Sequence, residues 1–385
     1  MVKRDAESRL RKLATTFRSV AVIGPRQSGK TTLCREVFPG KPYTSLENPD
    51  VLSFAQTDPK GFLAQFKKGA ILDEVQKAPH LFSYLQQILD ESSKKGLFIL
   101  TGSNNFLLQE NITQTLAGRI GYLQLLPLSI AEIKKAGKLK GNYTNLIFSG
   151  CYPEPVVKKI NPLDWYPNYL STYVERDVRQ LKNISNHSLF LKFIKLCAGR
   201  VGSVLNFTSL ANDCGIDQKT AAHWMSVLEA SFIIYLLKPY HNNYNKRLIK
   251  SHKLYFYDTG LACSLLGIEN AKQLSVHYKG HFFENLFIME VLKNRLNKGL
   301  PDNLFFWRDK TGNEVDLLLD KFSTVDAYEI KSGETINNDY FKGLLYYAGV
   351  EQKKVSKYLV YAGNEIQKRS NGINVYPWDD SSFLK

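Results

Sequence analysis

The chain has 385 residues, 44% of them hydrophobic, which predicts two or three domains with a real core and argues against wholesale disorder. Its formal net charge of +15 favours an acidic partner, nucleic acid being the commonest, although a basic protein with a solvated surface would carry the same charge. Cys34, Cys151, Cys197, Cys214 and Cys263 are widely spaced and form no CxxC pair, so neither a disulfide framework nor a zinc site is indicated and a reducing cytoplasm fits.

The N-terminal stretch carries charges of both signs and no apolar leader segment, so it does not read as a signal peptide. Leu10, Leu13 and Phe17 recur at helical spacing and predict an amphipathic helix. Residues 19–23 (SVAVI) read as a buried parallel strand. That strand runs into Gly24, Pro25, Arg26, Gln27, Ser28, Gly29, Lys30 and Thr31, a full match to G-x-x-x-x-G-K-[ST], followed by Thr32 and a predicted helix. In such a loop backbone N–H groups face phosphate oxygens, and the helix adds its positive dipole end. Lys30 would place a charge at the β/γ-phosphates and Thr31 would offer a hydroxyl to Mg²⁺.

A phosphate cradle that hydrolyses ATP needs a carboxylate on a neighbouring strand. The apolar run Ala70–Leu72 ends in Asp73 and Glu74, at the strand end where α/β ligands bind. Asp73 is expected in the Mg²⁺ shell and Glu74 to polarise the attacking water, although adjacent acids there can also cap a helix. A further strand at Leu97–Thr101 leads into Gly102, Ser103, Asn104 and Asn105, where Ser103 or Asn104 could orient the water or simply form a turn. With 42–47 and Ile120–Leu126 these strands predict a five-stranded alternating α/β sheet.

The order P-loop, LDEVQ, LTGSN and LAGRIGYLQLLPLS resembles the AAA+ ATPase domain of a widespread bacterial and archaeal family, whose ATPase part precedes a C-terminal domain of unassigned function. The resemblance implies Walker A and Walker B elements, ATP and Mg²⁺. It puts Arg119 in a Gly-Arg motif, where an arginine can reach a γ-phosphate in cis or from a neighbouring subunit; a structural ion pair is the alternative. The trans case requires a homo-oligomer.

Gly150–Pro155 (GCYPEP) reads as a linker or hinge. In the helical stretch that follows, Tyr173, Glu175, Arg176 and Asp177 also match the family pattern and suit a salt-bridged face, with Arg176 and Arg179 as runner-up fingers. Residues 188–240 and the strand KLYFYD predict a winged helix-turn-helix, with Asp217 capping its second helix. Lys246, Arg247, Lys250 and Lys253 lie between its strands and suit phosphate contacts, while Lys219, Thr220 and His223 are modest equipment for base readout. Such modules also bind protein.

From 280 to 361 the pattern is helix, three strands, helix, strand. Glu284 sits on the helix and Asp316 on the second strand; Glu329 and Lys331, two apart on the third, share a face. This is similar to the PD-(D/E)xK nuclease superfamily, which implies a metal held by Glu284, Asp316 and Glu329 with Lys331 beside it. Such a domain can also persist as a binding module. The expected architecture is therefore α/β: a RecA-like/AAA+ parallel sheet at 1–140, a connector with winged helix at 141–257 and a nuclease-like α/β domain at 258–385. The expected function is Mg²⁺-dependent ATP hydrolysis coupled to DNA. The alternatives are an ATP-gated nuclease and a protein-interaction switch. The longest apolar run near the middle, Phe232–Leu237, is too short for a bilayer, so no membrane partner is expected.

Overall fold

A computed structural model describes residues 2–103, 116–172, 186–240, 251–274 and 276–384. The chain divides into two compact units: Met1–Leu128 with Ala230–Phe232 and Arg295–Leu300, and Ser129–Glu229 with Ile233–Asn294 and Pro301–Lys385.

The first unit is built on five strands, β1 (Ser19–Ile23), β2 (Tyr43–Ser45), β3 (Ala70–Asp73), β4 (Phe98–Gly102) and β5 (Ile120–Gln124). Their order is β2-β3-β4-β1-β5 and every pair is parallel. Parallel strands are covered on both faces, which is why β1, β3 and β4 are apolar runs buried along their whole length. The flanking helices are α1 (Glu7–Thr16), α2 (Lys30–Val37), α3 (Pro49–Thr57), α4 (Pro59–Ala64) and α5 (Leu81–Glu91). Leu10 and Leu13 of α1 join Val20, Leu33, Ile71, Ile99 and Leu123 in one core cluster, with Phe17 packed at its margin. Because β4 lies between β1 and β3, the carboxyl ends of these three strands stand side by side, the usual ligand edge of an open α/β sheet.

The second unit centres on a sheet of order β12-β13-β11-β10-β9-β8-β6-β7. Its strands are β6 (Ile234–Pro239), β7 (Lys253–Phe256), β8 (Leu304–Arg308), β9 (Glu314–Asp320), β10 (Thr324–Lys331), β11 (Lys354–Tyr361), β12 (Gln367–Lys368) and β13 (Ile373–Pro377). The remaining helices are α6 (Ile130–Lys135), α7 (Tyr143–Ser149), α8 (Pro153–Lys158), α9 (Pro162–Tyr169), α10 (His187–Ala198), α11 (Phe207–Cys214), α12 (Gln218–Ala230), α13 (Thr259–Leu265), α14 (Val276–Asn297) and α15 (Lys342–Val350). β8, β9 and β10 form an antiparallel meander, and α15 carries the chain over to β11, parallel to β10. α10, α11, α12 and the antiparallel pair β6–β7 stand where the sequence puts them, and Asp217 accepts the Thr220 N–H at 2.9 Å. β6 pairs in parallel with β8 through Lys238 and Pro239. The strands read as a winged helix and those read as nuclease-like thus belong to one sheet.

The expected hinge at Gly150–Pro155 is instead a buried corner. Cys151 and Tyr152 are 2% and 1% exposed, and the Cys151 N–H donates to Asp258 at 2.7 Å. The prolines that suggested a linker open α8, where a missing N–H costs nothing. All five cysteines are free and buried. No helix among the described residues is long and apolar enough to cross a membrane.

Candidate active site

The loop from Gly24 to Gly29 joins β1 to α2. Two of its glycines are demanded by geometry. Gly24 has φ 152°, and a Cβ there would lie 2.1 Å from the Leu125 carbonyl oxygen. Gly29 has φ 92° and opens α2. Gln27 also lies in the left-handed region, at φ 59°. Behind the loop, the buried Arg4 donates to the carbonyls of Ser28 and Leu126, each at 2.7 Å. That brace between the N-terminus and the loop is absent from the sequence reading, because a single arginine 24 residues upstream carries no local signal.

Lys30 is 5% exposed, and its ammonium donates to the carbonyls of Gly24 at 3.1 Å and Pro25 at 2.8 Å. Burial holds its pKa below the ordinary lysine range, against the pull of Glu74 and Asp73. Thr31 donates to Asp73 Oδ1 at 3.0 Å, so the hydroxyl from α2 and the carboxylate from β3 meet. Asp73 also accepts from Thr101 of β4, and from the Tyr43 hydroxyl of β2 at 2.9 Å. The Ser28 hydroxyl is buried without a partner among the described residues. Arg26 faces Glu47 at 3.5 Å, and Thr32 is exposed.

Glu74 has φ 55° and ψ 45°, a left-handed conformation that a non-glycine residue adopts only under constraint. The 3₁₀ turn Val75–Lys77 then curls back so that the Gln76 amide donates to Glu74 Oε2. The Ser103 hydroxyl donates to the same oxygen at 3.0 Å. The fold thus brings Thr31 to Asp73 and Ser103 to Glu74, keeps Lys30 in the loop beside them, and adds Tyr43, Thr101 and Gln76 as neighbours. A buried ammonium, a hydroxyl bonded to a carboxylate, and an unpartnered buried hydroxyl in the loop form a donor set that fits a magnesium nucleotide.

Arg119 stands elsewhere. Its carbonyl accepts the Ser19 N–H at 3.1 Å, at the start of β1, whereas the phosphate loop follows the end of β1. Five residues of strand, roughly 16 Å, separate the two ends. Its guanidinium is engaged by Asp90, with Nη2 to Oδ2 at 3.0 Å. A finger role in cis is therefore corrected: the side chain sits at the opposite edge of its own sheet from the cradle.

A second cluster of acids lies in the second unit. Lys331 reaches Asp316 Oδ2 at 3.1 Å and Glu329 Oε1 at 2.6 Å. Asp316 also accepts the Ile330 N–H at 2.8 Å. Glu284 accepts from Lys253 at 3.0 Å and from the Tyr255 hydroxyl at 2.5 Å. Lys253 also pairs with Glu314 and is only 4% exposed. The placement of Lys253 as a phosphate-contacting wing residue is thus corrected, since its ammonium points into the sheet and is consumed there. Burial pushes Glu329 up to about 8, with Asp316 adding to the shift. Burial acts on Asp316 too, but Lys331 and Lys253 win and hold it below the usual carboxylate range. Among the described residues no group of three or more acids, histidines or cysteines is arranged to hold a metal ion. Lys219 and His223 are exposed on α12. Asn104, Asn105, Tyr173, Glu175, Arg176, Asp177, Arg179, Lys246, Arg247 and Lys250 lie outside the described residues.

The family model for an AAA domain matches residues 16–134, the span that contains the whole cradle. The chain carries an AAA domain. Behind this AAA domain, residues 140–272 match one domain of unknown function (DUF8612) and residues 279–380 another (DUF4143). An uncharacterised protein of Mycobacterium tuberculosis is 29% identical over 338 residues, 86% of this chain and 74% of that protein. An uncharacterised protein of Methanocaldococcus jannaschii is 24% identical, covering 66% of this chain and 58% of that protein. Among solved structures, a Walker-type ATPase of Pyrococcus abyssi is similar at TM-score 0.45 and 15% identity, over 69% of this chain and 96% of that one.

Proposed function

We propose that the AAA domain binds and hydrolyses Mg·ATP and that hydrolysis is coupled to nucleic acid, DNA being favoured. One observation carries the ATPase reading: Thr31 of the P-loop helix and Asp73 of β3 meet at 3.0 Å beside a buried Lys30 ammonium. Lys30 binds the β- and γ-phosphates, and Thr31 with Asp73 holds Mg²⁺. The metal, when bound, neutralises phosphate charge. Glu74 accepts a proton from the attacking water, and Ser103 fixes one of its oxygens so that the other faces the water. Arg119, at the far edge of its own sheet, serves a neighbouring copy of the chain, so full turnover needs a homo-oligomer. The free, buried thiols support a cytoplasmic setting.

The net charge of +15 supports the nucleic-acid partner, and α10–α12 with β6–β7, read as a winged helix, is the proposed contact. The burial of Lys253 favours the protein-interaction switch as the second reading, because it takes one cation out of the proposed wing. ATP turnover measured with and without duplex DNA, over a salt series, separates the two. Stimulation that falls steeply on a log–log salt plot is expected for phosphate contacts, and no stimulation at any salt rejects DNA coupling. Turnover that survives Lys30→Ala rejects the ATPase reading itself.

A further inference from the structure

The second carboxylate cluster has the residue types of a metal-dependent phosphodiesterase: Asp316 on β9, Glu329 and Lys331 on β10 and Glu284 on α14. A metal site of that kind needs carboxylate oxygens that water or a cation can reach. Here all three acids are buried and one oxygen of each is already held by the chain's own groups, while Glu329 Oε2 is buried without a partner among the described residues. Lys331 bridges Asp316 and Glu329. Glu284, 8% exposed, accepts both the Lys253 ammonium and the Tyr255 hydroxyl on one oxygen. Lys253 reaches across to Glu314 as well. It arrives from β7, next to β6 at the edge of the sheet, so it belongs to no part of the nuclease-like pattern.

We propose that the Lys253 ammonium supplies, permanently and from within the fold, the positive charge that such a cluster otherwise takes from a divalent metal, so that the second unit holds no catalytic metal and does not cut phosphodiesters. Two lysines, Lys253 and Lys331, thus stand among four carboxyl groups, Glu284, Glu314, Asp316 and Glu329. A buried ammonium held by two carboxylates leaves only by breaking the fold around it, because an uncompensated buried charge is strongly unfavourable. The inference is independent of ATP turnover and stands if the ATPase reading fails.

The test counts bound Mn²⁺ by electron paramagnetic resonance on the full-length, nucleotide-free chain in an Asp73→Asn background, which removes the first unit's own carboxylate. No bound Mn²⁺ up to about 1 mM is expected, and no cleavage of plasmid, single-stranded DNA or RNA with Mg²⁺ or Mn²⁺. Adding Lys253→Ala is expected to create one Mn²⁺ site per chain and a melting temperature that rises with Mn²⁺. One Mn²⁺ per chain without the lysine change, lost on Glu284→Gln, overturns the proposal. So does metal-dependent cleavage lost on Asp316→Asn, or a folded Lys253→Ala protein indifferent to Mn²⁺. If Lys253→Ala does not fold, the count on the Asp73→Asn chain still decides.

Discussion

The two units each bury acids and a lysine together, but they close them in opposite ways. In the first, Asp73 is held by neutral hydroxyls from Thr31, Tyr43 and Thr101, and Glu74 by Ser103 and Gln76. Its lysine, Lys30, bonds to loop carbonyls rather than to the acids. In the second, each of the acids Glu284, Asp316 and Glu329 touches an ammonium. Neutral donors can be exchanged for a cation at modest cost, about 1 kcal/mol net for each hydrogen bond, whereas a buried ion pair resists exchange because either charge left alone is penalised. The same residue types thus make an open site in one unit and a sealed one in the other.

The largest effect that bears on this contrast is on turnover. Lys30→Ala is expected to reduce ATP hydrolysis about 10²- to 10³-fold, the scale on which one preorganised electrostatic contact acts, and steady-state phosphate release measures it. The same substitution should leave stability to urea unchanged or raised, since burial disfavours the charged lysine. Lys253→Ala should do the reverse in a chemical denaturation series, lowering stability by about 3–5 kcal/mol because Glu284 and Glu314 lose their cation. The two lysines also predict opposite pH behaviour. Lys253 has a raised pKa through Glu284, Asp316 and Glu314, although burial pulls it down, so its stabilisation is present below the ordinary lysine value and is lost as pH rises through the folded value. Lys30 has a lowered pKa, so its penalty is present at low pH and is relieved as pH rises toward the ordinary value. Unfolding of the two variants against wild type from pH 7 to 10 should show no convergence for Lys253→Ala and a shrinking gap for Lys30→Ala.

A smaller effect tests how the first site stays open. Gln76→Ala should lower kcat about tenfold to a hundredfold with KM nearly unchanged, the scale of misplacing a reacting group by an ångström. An equal change in kcat and KM would mean that Gln76 shapes nucleotide binding instead of Glu74.

The open site was largely legible in sequence because its parts are local. The loop glycines, Lys30 and Thr31 occupy consecutive positions, and Asp73 and Glu74 end one apolar run, so spacing alone announces them. Arg4, Tyr43 and Thr101 were not legible as site residues, because each reaches the site across the fold from a segment with no pattern of its own. Gln76 is two positions from Glu74 but needs the left-handed turn at Glu74 to face it, and nothing in DEVQ predicts positive φ at a glutamate. Lys253 was misread for the complementary reason. Beside Lys246, Arg247 and Lys250 it looks like one of a basic surface group, yet it is the first residue of β7, paired with Leu237, in a strand buried along its whole length. Charge clusters in sequence do not reveal where a buried strand begins, and the acids that claim this lysine lie 31 and 61 residues further along the chain.

The smallest effect is the most discriminating for the contrast. Tyr43→Phe removes one neutral donor from Asp73 while keeping the ring that lies 4.9 Å from the Arg35 guanidinium. Asp73 keeps Thr31 and Thr101, and the Tyr43 position is 38% exposed, so water can replace the lost hydroxyl. Stability should fall by about 1 kcal/mol or less in urea unfolding. Because the phenol competes with any cation for Asp73 Oδ2, the KM for Mg·ATP should stay the same or fall. A loss of stability near that of Lys253→Ala, with KM rising, would show that Asp73 depends on its internal partners as Glu284 does, and the distinction between an exchangeable and a sealed carboxylate site would no longer hold for this protein.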